Sequence, residues 1–302
     1  ADDPTPYERI DGHNNVEGVN ARNGNFSLTY PAFEDGGGIP YRRTYNSLSG
    51  NKGLFGLGWG SPFETRLIPL PDGRVAVREN GNGALAVYGL PVQGETMADL
   101  ERKVIAAEAH PVSYRRTKRG TLAIDPTKAF DVQACDDAAI TRDKDGWSRQ
   151  TCSLTLQRFD RKGLLAAYDA PGVGLVVISR EHDQITRVES PVGDGLYLAR
   201  IGDRLHVVGL KGEVVTYIFD AQGRNVSMMG TKTPTMAFSY DDHSNMTDLA
   251  FSDGTHIRVA YDDKDRVSKR IDRDGVVLSF TYGLSSDGNQ TTLVGRTVGE
   301  QT

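Results

Sequence analysis

Four aromatic residues near the end of the chain recur at a constant interval of 21 residues, and an aspartate follows each of the first three. They are Phe219, Tyr240, Tyr261 and Tyr282. A fixed period of this length is typical of repeat architectures, because one small unit cannot bury its apolar face until it stacks on copies of itself. The pattern therefore predicts that the last third of the chain forms a continuous wall and not a catalytic pocket.

Asp-Gly pairs inside the repeat indicate that the unit is a β-hairpin. Asp253-Gly254 and Asp274-Gly275 are also 21 residues apart, and runs with strand character follow both pairs. Glycine adopts positive φ without a Cβ penalty and aspartate tolerates turn geometry, so this pair between β-prone runs marks a tight turn. Each unit is predicted to be two strands, joined to the next unit by the Tyr-Asp turn. An ordinary meander in a twisted sheet is the alternative that the strict period disfavours.

The rings at equivalent places in each unit have two interpretations. They are predicted to pack between neighbouring hairpins, where an aromatic pair adds about 0.5–1.5 kcal/mol beyond the burial of its area. The alternative is an exposed ladder that stacks on sugar rings or on the side chains of a partner.

The sequence around the repeated aspartates resembles the YD repeat of RHS proteins. Tyr261-Asp262 and Phe219-Asp220 both have an arginine four residues after the aspartate, as in Y-D-x-x-x-R. Tyr240-Asp241 is a looser copy, with Ser244 where glycine is usual, and Phe159-Asp160 matches at an irregular distance. The positions that define the repeat are Phe159, Asp160, Phe219, Asp220, Tyr240, Asp241, Tyr261, Asp262 and Tyr282.

A second group of residues, far upstream, is similar to the start of RHS-type proteins. Gly24-Asn25-Phe26 comes first, a segment centred on Tyr45 follows, and a glycine-rich segment ends at Trp59. Order and approximate spacing agree with that family, and the resemblance covers residues 16–66 and 156–302. Trp59 is predicted to anchor the core. The residues of this N-terminal motif are Arg43, Thr44, Tyr45, Asn46, Gly56, Gly58 and Trp59.

The resemblance implies a shell. RHS proteins wind their YD repeats into a large hollow β shell, which is followed by an aspartyl self-cleavage motif near an Asp-Pro pair and often encloses a toxic C-terminal domain. This chain departs from that pattern, because its only Asp-Pro pairs, Asp3-Pro4 and Asp125-Pro126, lie too early in the sequence. It is expected to be either an N-terminal part of a longer RHS protein or a short stand-alone relative.

Strand and turn signals divide the chain into three predicted regions. Residues 1–90 form an N-terminal RHS-like β region, residues 91–155 an insertion, and residues 156–302 a YD-repeat sheet. In the insertion, Thr96 and Asp99 form a capping-box pattern, and the apolar residues that follow fall on one helical face, so a helix is predicted over 97–109. The predicted fold is mainly β, with antiparallel hairpin repeats in a twisted, curved open sheet of the RHS/YD type and a small, partly helical insertion.

The start of the sequence and its two cysteines favour export. Ala1-Asp2-Asp3-Pro4 resembles the product of signal-peptidase cleavage, although an artificial start would look the same, so the protein is expected to be periplasmic or secreted. Cys135 and Cys152 are 17 residues apart, and in an oxidising compartment they are predicted to form a disulfide worth about 3 kcal/mol. In the cytosol they would instead be buried thiols. The absence of Cys-x-x-Cys disfavours a metal site.

Charge and motifs argue against nucleic-acid binding and catalysis. The net charge is −5, whereas nucleic-acid-binding proteins usually carry a basic stripe. No nucleophile elbow, zinc-protease motif, phosphate loop or membrane-length apolar stretch occurs in the sequence. Turns that begin at Asp143 and Asp272 share the start of calcium loops but lack the glutamate that completes them. We therefore expect no catalytic residue, metal or cofactor; an enzyme housed in the insertion is the remaining alternative.

Two classes of function remain. The first is a non-enzymatic structural or interaction module of an exported RHS/YD-repeat protein, a shell or cap segment linked to bacterial competition or toxin delivery. Its partner would be another protein or the remainder of a longer RHS chain. The second is a stand-alone extracytoplasmic binding protein for a glycan, cell-wall material or a cognate effector. The C-terminal edge of the sheet is expected to be covered by a loop, a partner or a second copy, because unpaired strand edges promote aggregation.

Overall fold

Antiparallel strands make up most of the computed structural model, which confirms the predicted mainly β fold. The structure describes residues 15–31, 42–83, 85–90, 92–109, 121–123, 139–151, 155–170, 172–191, 193, 195–209, 211–232, 234–286 and 290–298. Within these ranges, no helix has the length and apolar character needed to cross a membrane.

Ten short strands form the N-terminal block, a name given to the described residues between 15 and 90. The strands are β1 (Asn15–Val16), β2 (Val19–Asn20), β3 (Ser27–Pro31), β4 (Arg42–Asn46), β5 (Lys52–Gly53), β6 (Gly56–Leu57), β7 (Trp59–Gly60), β8 (Arg66–Pro69), β9 (Val75–Arg78) and β10 (Leu85–Tyr88). They pair in four small sheets, in the orders β1-β2, β3-β4-β7, β5-β6 and β10-β9-β8. Short 3-10 helices cover Pro62–Glu64 and Glu79–Gly81.

One α-helix, α1 (Met97–Ala109), packs on the β8–β10 sheet and confirms the predicted helix. Its start is the predicted capping box. The Thr96 N–H donates to the Asp99 carboxylate at 3.0 Å, and the Asp99 N–H donates to the Thr96 hydroxyl at 3.2 Å. These reciprocal bonds satisfy two groups at the point where a helix leaves its first amides without partners. The buried face consists of Leu100, Val104 and Ala107.

Seventeen strands form one open antiparallel sheet, in which each strand pairs with its neighbours in the sequence. They are β11 (Thr121–Ala123), β12 (Ala139–Arg142), β13 (Trp147–Gln150), β14 (Leu156–Phe159), β15 (Leu165–Ala170), β16 (Gly174–Glu181), β17 (Gln184–Glu189), β18 (Gly195–Ile201), β19 (Arg204–Gly209), β20 (Val214–Phe219), β21 (Asn225–Gly230), β22 (Met236–Tyr240), β23 (Met246–Phe251), β24 (His256–Tyr261), β25 (Val267–Ile271), β26 (Val276–Leu284) and β27 (Gln290–Val298). The connections therefore alternate between two edges of the sheet. Pairing continues from β13 to β14, across the predicted boundary between residues 155 and 156.

Alternation along the strands gives the sheet one buried face, as in β20, where every second residue is buried. The N-terminal block packs its aromatic side chains on that face. The ring centroids of Trp59 and Phe238 are 5.6 Å apart, and those of Phe55 and Tyr217 are 4.9 Å apart. The main hydrophobic core is consequently shared between the block and the sheet.

Candidate functional site

Four turns along one edge of the sheet share a geometry, and we name them the YD turns. They cover residues 160–164, 220–224, 241–245 and 262–266. In the last of them, the Asp262 carboxylate accepts hydrogen bonds from the backbone N–H groups of Lys264 at 3.0 Å and Arg266 at 2.9 Å, and from Arg266 Nε at 2.8 Å. Asp220 and Arg224 form the corresponding bonds in the turn at residues 220–224. In Y-D-x-x-x-R, the aspartate thus closes its own turn and the arginine balances its charge.

The fourth residue of each YD turn adopts positive φ. The angle is 81° at Gly163 and Gly223, 70° at Ser244 and 59° at Asp265. Glycine adopts this region without a Cβ penalty, and other residues occupy it at some cost. The looser copy at 241–245 still closes through its aspartate, because Asp241 accepts a hydrogen bond of 2.8 Å from the backbone N–H of Asn245. The other three turns have arginine or leucine at the position of Asn245.

Each repeat tyrosine ties its unit to the unit before it. Its hydroxyl donates to a backbone carbonyl 15 residues upstream, on the first strand residue after the preceding YD turn. Burial raises the pKa of all three hydroxyls, so they remain protonated donors. The rings are partly buried and pack against the main core. The bonds join Tyr240 to Asn225 at 2.7 Å, Tyr261 to Met246 at 2.8 Å and Tyr282 to Val267 at 2.7 Å.

The N-terminal block binds at all four YD turns, and we name this set of contacts the docking line. Each contact joins the block to a backbone group at the end of a turn or on the first strand residue after it. Such groups are buried when the block covers them, so each needs a partner. The hydrogen bonds run from Leu67 N to Gly163 O at 2.8 Å, from Leu57 N to Gly223 O at 2.9 Å, from Met246 N to Tyr45 Oη at 3.0 Å and from Val267 N to Gly24 O at 2.9 Å.

Close approach explains glycines on both sides of the docking line. A Cβ at Gly163 would overlap the carbonyl oxygen of Leu67, and one at Gly24 would overlap the side chain of Arg266. A Cβ at Gly56 would lie 2.9 Å from the carbonyl oxygen of the Gly223 turn residue. The sequence blocks recognised separately, the N-terminal motif and the YD repeat, are therefore the two sides of one interface.

Arg43 of the N-terminal motif is fully buried beneath this interface. Its guanidinium carbon lies 4.1 Å from the ring centroid of Trp59 and 5.0 Å from that of Tyr217, and Nη2 donates to the sulfur of Met228 at 3.1 Å. Nε and Nη1 have no hydrogen-bond partner within the described part of the chain. Burial lowers the pKa of the guanidinium. The contacts are those of a cation held by aromatic faces and not by a carboxylate.

The remaining motif residues meet at a buried side chain that the sequence reading missed. Asn82 is fully buried, and its Nδ2 donates to the carbonyls of Thr44 and Gly58, both at 2.8 Å. Asn46 donates to the Asn82 carbonyl at 3.1 Å and accepts from Asn25 at 2.8 Å. An asparagine between two glycines, as in Gly81-Asn82-Gly83, reads as an ordinary turn, so no local signal distinguishes this residue.

A cavity of about 800 Å³ opens where the 21-residue period fails. Phe159 and Phe219 are 60 residues apart, which is not a multiple of 21. The two intervening hairpins on this edge close with short turns at 182–183 and 202–203, and His182 and Asp183 both have positive φ. Among the described residues, no backbone hydrogen bond joins the N-terminal block to either turn. The cavity therefore fills the gap in the docking line between Gly163 and Gly223.

Charged side chains from the block and the sheet line this cavity. The cations are Lys52, Arg66, Arg180 and Arg200, and the carboxylates are Glu64, Glu181 and Asp183. Arg180 is held by backbone carbonyls, with Nη2 donating to Phe63 at 3.1 Å and Nη1 to Leu165 at 2.5 Å. Glu64 accepts the Leu54 N–H at 2.5 Å and the Ser61 hydroxyl at 2.8 Å, and burial raises the pKa of its carboxyl to about 7.

Other residues singled out in the sequence have different fates. Cys135 and Cys152 lie outside the described residues, so their disulfide stays a prediction. The aspartates at the two calcium-like loops act as turn caps, since Asp143 accepts the Asp145 N–H at 2.8 Å and Asp272 accepts the Asp274 N–H at 3.0 Å. In the described ranges, no group of three or more His, Cys, Asp and Glu side chains has the arrangement of a metal site.

A family model described as a domain of unknown function (DUF6531) matches residues 17–87. That stretch contains every residue of the N-terminal motif and also Asn82. No curated protein matches the chain.

Three solved structures share a distant likeness with this chain. A porin-like protein from Bacteroides uniformis ATCC 8492 is 10% identical, with a TM-score of 0.23 over 55% of this chain and 94% of that one. A structure of TcdB2-TccC3-TEV is 10% identical, with a TM-score of 0.30 over 72% of this chain and 15% of that one. A structure of TcdB2-TccC3 is 9% identical, with a TM-score of 0.19 over 92% and 23%. The chain thus spans less than a quarter of the matched chain in each of the TcdB2-TccC3-TEV and TcdB2-TccC3 structures.

Proposed function

We propose that this chain is a non-enzymatic structural module of an exported RHS/YD-repeat protein, a wall segment that carries its own N-terminal cap and serves bacterial competition or toxin delivery. The backbone of Met246 carries the proposal. Its N–H donates to Tyr45 of the block, and its carbonyl accepts from Tyr261 of the next repeat. Residues that recur with the period therefore bind neighbouring repeats to each other and bind the sheet to the N-terminal block. Such contacts stabilise the sheet as a structural element.

The final strand supports the same proposal. Within the described residues, β27 pairs only with β26 and leaves one row of backbone groups without a strand partner. Leu293 and Val298 on this strand are 73% and 68% exposed. A long edge strand that exposes apolar side chains is a ready template for another strand. We propose that a further strand covers it, supplied by the remainder of a longer RHS chain or by a protein partner.

Light scattering after size-exclusion chromatography tests this edge. The 302-residue chain is expected to associate with rising concentration, and Leu293→Lys combined with Val298→Lys is expected to suppress association, because lysines on an edge discourage strand pairing. Leu90→Lys is the matched control, since Leu90 is equally exposed at 73% but lies in the N-terminal block. A wild-type chain that stays monomeric at every concentration, from a gene encoding no further repeats, would overturn the proposed wall.

Export is the second part of the proposal and is tested separately. The protein is expected in the periplasm or outside the cell, with Cys135 and Cys152 joined. Intact-mass measurement of fractionated native protein, before and after reduction and alkylation, gives the answer. A protein confined to the cytosol with both thiols alkylated before reduction would contradict export and leave the wall itself untouched.

A further inference from the structure

The cavity beside the docking line has the size of a ligand site. Its volume of about 800 Å³ lies within the range of roughly 300–1,000 Å³ that is usual for small-molecule sites. The walls come from β5 and β8 of the block on one side and from β16–β19 of the sheet on the other. Apolar side chains, including Leu54, Leu198 and Leu205, contribute to the lining. The space is therefore neither purely polar nor a packing void between two flat surfaces.

Its cations differ from those of the YD turns. Arg224 lies 2.7 Å from Asp220, and Arg266 lies 2.6 Å from Asp262, so each of these charges is balanced within its own turn. Among the described residues, the cavity-lining Lys52, Arg180 and Arg200 have no carboxylate within 4.0 Å. A guanidinium without a carboxylate partner is free to bind an anion through its planar set of donors.

Two of these arginines are already oriented. Arg180 donates to two backbone carbonyls, which fix its position. The charges of Asp160, Glu64 and Asp183 act on it from a distance, without an ion pair among the described residues. The guanidinium carbon of Arg200 lies 4.2 Å from the ring centroid of Phe219. Side chains that are ordered before binding lose less conformational entropy when a ligand arrives. The repeat aromatic at position 219 thus supports a basic side chain at the mouth of the gap.

The carboxylates in the lining offset these cations only in part. Asp183 is paired with Lys162 at 2.7 Å, and Lys162 does not line the cavity. Both oxygens of Glu64 accept hydrogen bonds from the block. Glu64 and Glu181 remain against the three cations Lys52, Arg180 and Arg200, and burial raises the pKa of Glu64 to about 7, so Glu64 is partly protonated near neutral pH. The lining is thus locally basic in a chain whose net charge is −5, and such a field favours an anion over a cation or a neutral ligand.

We propose that this cavity binds a small organic anion, whose carboxylate or phosphate group contacts Arg180 and Arg200 and whose apolar part lies against Leu54, Leu198 and Leu205. Carboxylate and phosphate share the geometry that a guanidinium recognises, so the chemistry is common to both. The inference concerns a gap in the wall and does not depend on what covers β27. Binding and association can therefore fail independently.

Isothermal titration calorimetry of the whole 302-residue protein tests the site with benzoate, phenyl phosphate and inorganic phosphate. Binding of benzoate identifies a carboxylate site, whereas binding of phenyl phosphate without binding of benzoate identifies a phosphate site. Arg200→Gln is expected to weaken binding about tenfold. Arg273→Gln is the matched control, because Arg273 lies 4.1 Å from the ring of Phe251 in the same way but outside the cavity, and its Kd should stay unchanged.

Arg180→Gln provides a second variant with an expected loss of about tenfold in affinity. Arg180 bonds to the backbone of both the N-terminal block and the sheet, so the thermal unfolding of the Arg180→Gln protein is measured beside that of the wild type. If Arg180→Gln does not fold, the affinity of Arg200→Gln decides the test. The inference is overturned if no organic anion binds at millimolar concentration. It is equally overturned if binding persists unchanged in Arg200→Gln.

Discussion

The hydroxyl of Tyr45 accepts a hydrogen bond of 3.0 Å from the backbone N–H of Met246, which lies 201 residues further along the chain. Tyr45 is only 1% exposed and Met246 is also 1% exposed. The contact therefore joins an N-terminal motif residue to a position defined by the repeat, out of reach of water. A buried N–H that loses its partner costs more than the hydrogen bond itself contributes.

Tyr45→Phe is expected to lower the free energy of unfolding by about 1–3 kcal/mol, because the Met246 N–H would stay buried without an acceptor. Tyr261→Phe removes a donor to the carbonyl of the same residue and is expected to cost less, about 0.5–1.5 kcal/mol. Urea titration followed by tryptophan fluorescence measures both. Tyr197→Phe, at a side chain that is 42% exposed, serves as the control and should change little. Equal losses at all three positions would contradict the docking contact.

Gly163→Ala is expected to destabilise the protein far more than Gly254→Ala. Both glycines have φ of 81°, so the left-handed penalty of about 1–2 kcal/mol is the same for each. At Gly254 a Cβ would meet nothing within 4 Å, whereas at Gly163 it would overlap the carbonyl oxygen of Leu67. The difference in unfolding free energy between the two variants isolates the contribution of the docking line. If the two variants are equally stable, the block does not rest on this turn.

Arg43→Lys is expected to be at least about 1 kcal/mol more destabilising than Arg43→Met. Lysine keeps the buried charge but loses the planar face that lies over Trp59 at 4.1 Å. Methionine removes both the charge and its desolvation penalty while filling similar space. Thermal and urea unfolding of the two variants, compared under the same conditions, gives the order. The reverse order would indicate that the positive charge itself stabilises the core.

Because the Glu64 carboxyl is buried, we expect the free energy of unfolding to decline between pH 5 and pH 7. Its pKa is raised from 4.5 to about 7 by burial, so the folded state holds a proton that the unfolded state has already released. The free energy of unfolding must then fall as pH rises through this window, and remain low above it. Glu64→Gln should remove about 1–3 kcal/mol of that decline.

The comparison between wild type and Glu64→Gln also separates this group from the histidines. His243, whose pKa is raised by the hydrogen bond and charge of Asp265, stabilises the folded state at low pH and loses that effect in the same direction. It is present in both proteins and cancels in the difference. Parallel pH profiles for the two proteins would show that the Glu64 carboxyl is already ionised at pH 5.

Local features of the fold were predictable from the sequence. The helix starts where Thr96 and Asp99 predict a capping box, and the YD turns occur where aspartate and a positive-φ residue recur. Both features depend on residues a few positions apart, so periodicity and turn chemistry contain them. β13 was harder to recognise, because its sequence Trp-Ser-Arg-Gln is mostly polar. Its buried Arg149 is satisfied by Tyr88 and Glu79 of the N-terminal block, which no local pattern reveals.

Most of the candidate site could not be predicted from the sequence. The N-terminal motif and the repeat aromatics were both visible, but the bonds between them join residues such as Gly24 and Val267, which only the folded sheet brings together. The cavity was harder still to foresee. It arises where the period fails, and a failed period carries no motif of its own. Arg180 and Arg200 share the alternation of the buried Ile178 and Leu198 on their strands, where a single charged residue matches no recognisable motif.

The docking line also restricts how a chain of this kind can change its length. Most tandem arrays gain or lose whole copies easily, because each unit contacts only its neighbours. In this chain a duplicated unit between Gly223 and Val267 would carry Val267 away from Gly24 while Leu57 stayed at Gly223. The amino-terminal segment therefore fixes the number of repeat units between Gly223 and Val267. New copies would be tolerated only beyond β27, because the amino-terminal segment also contacts that strand, where the Thr292 hydroxyl donates to the Ala21 carbonyl.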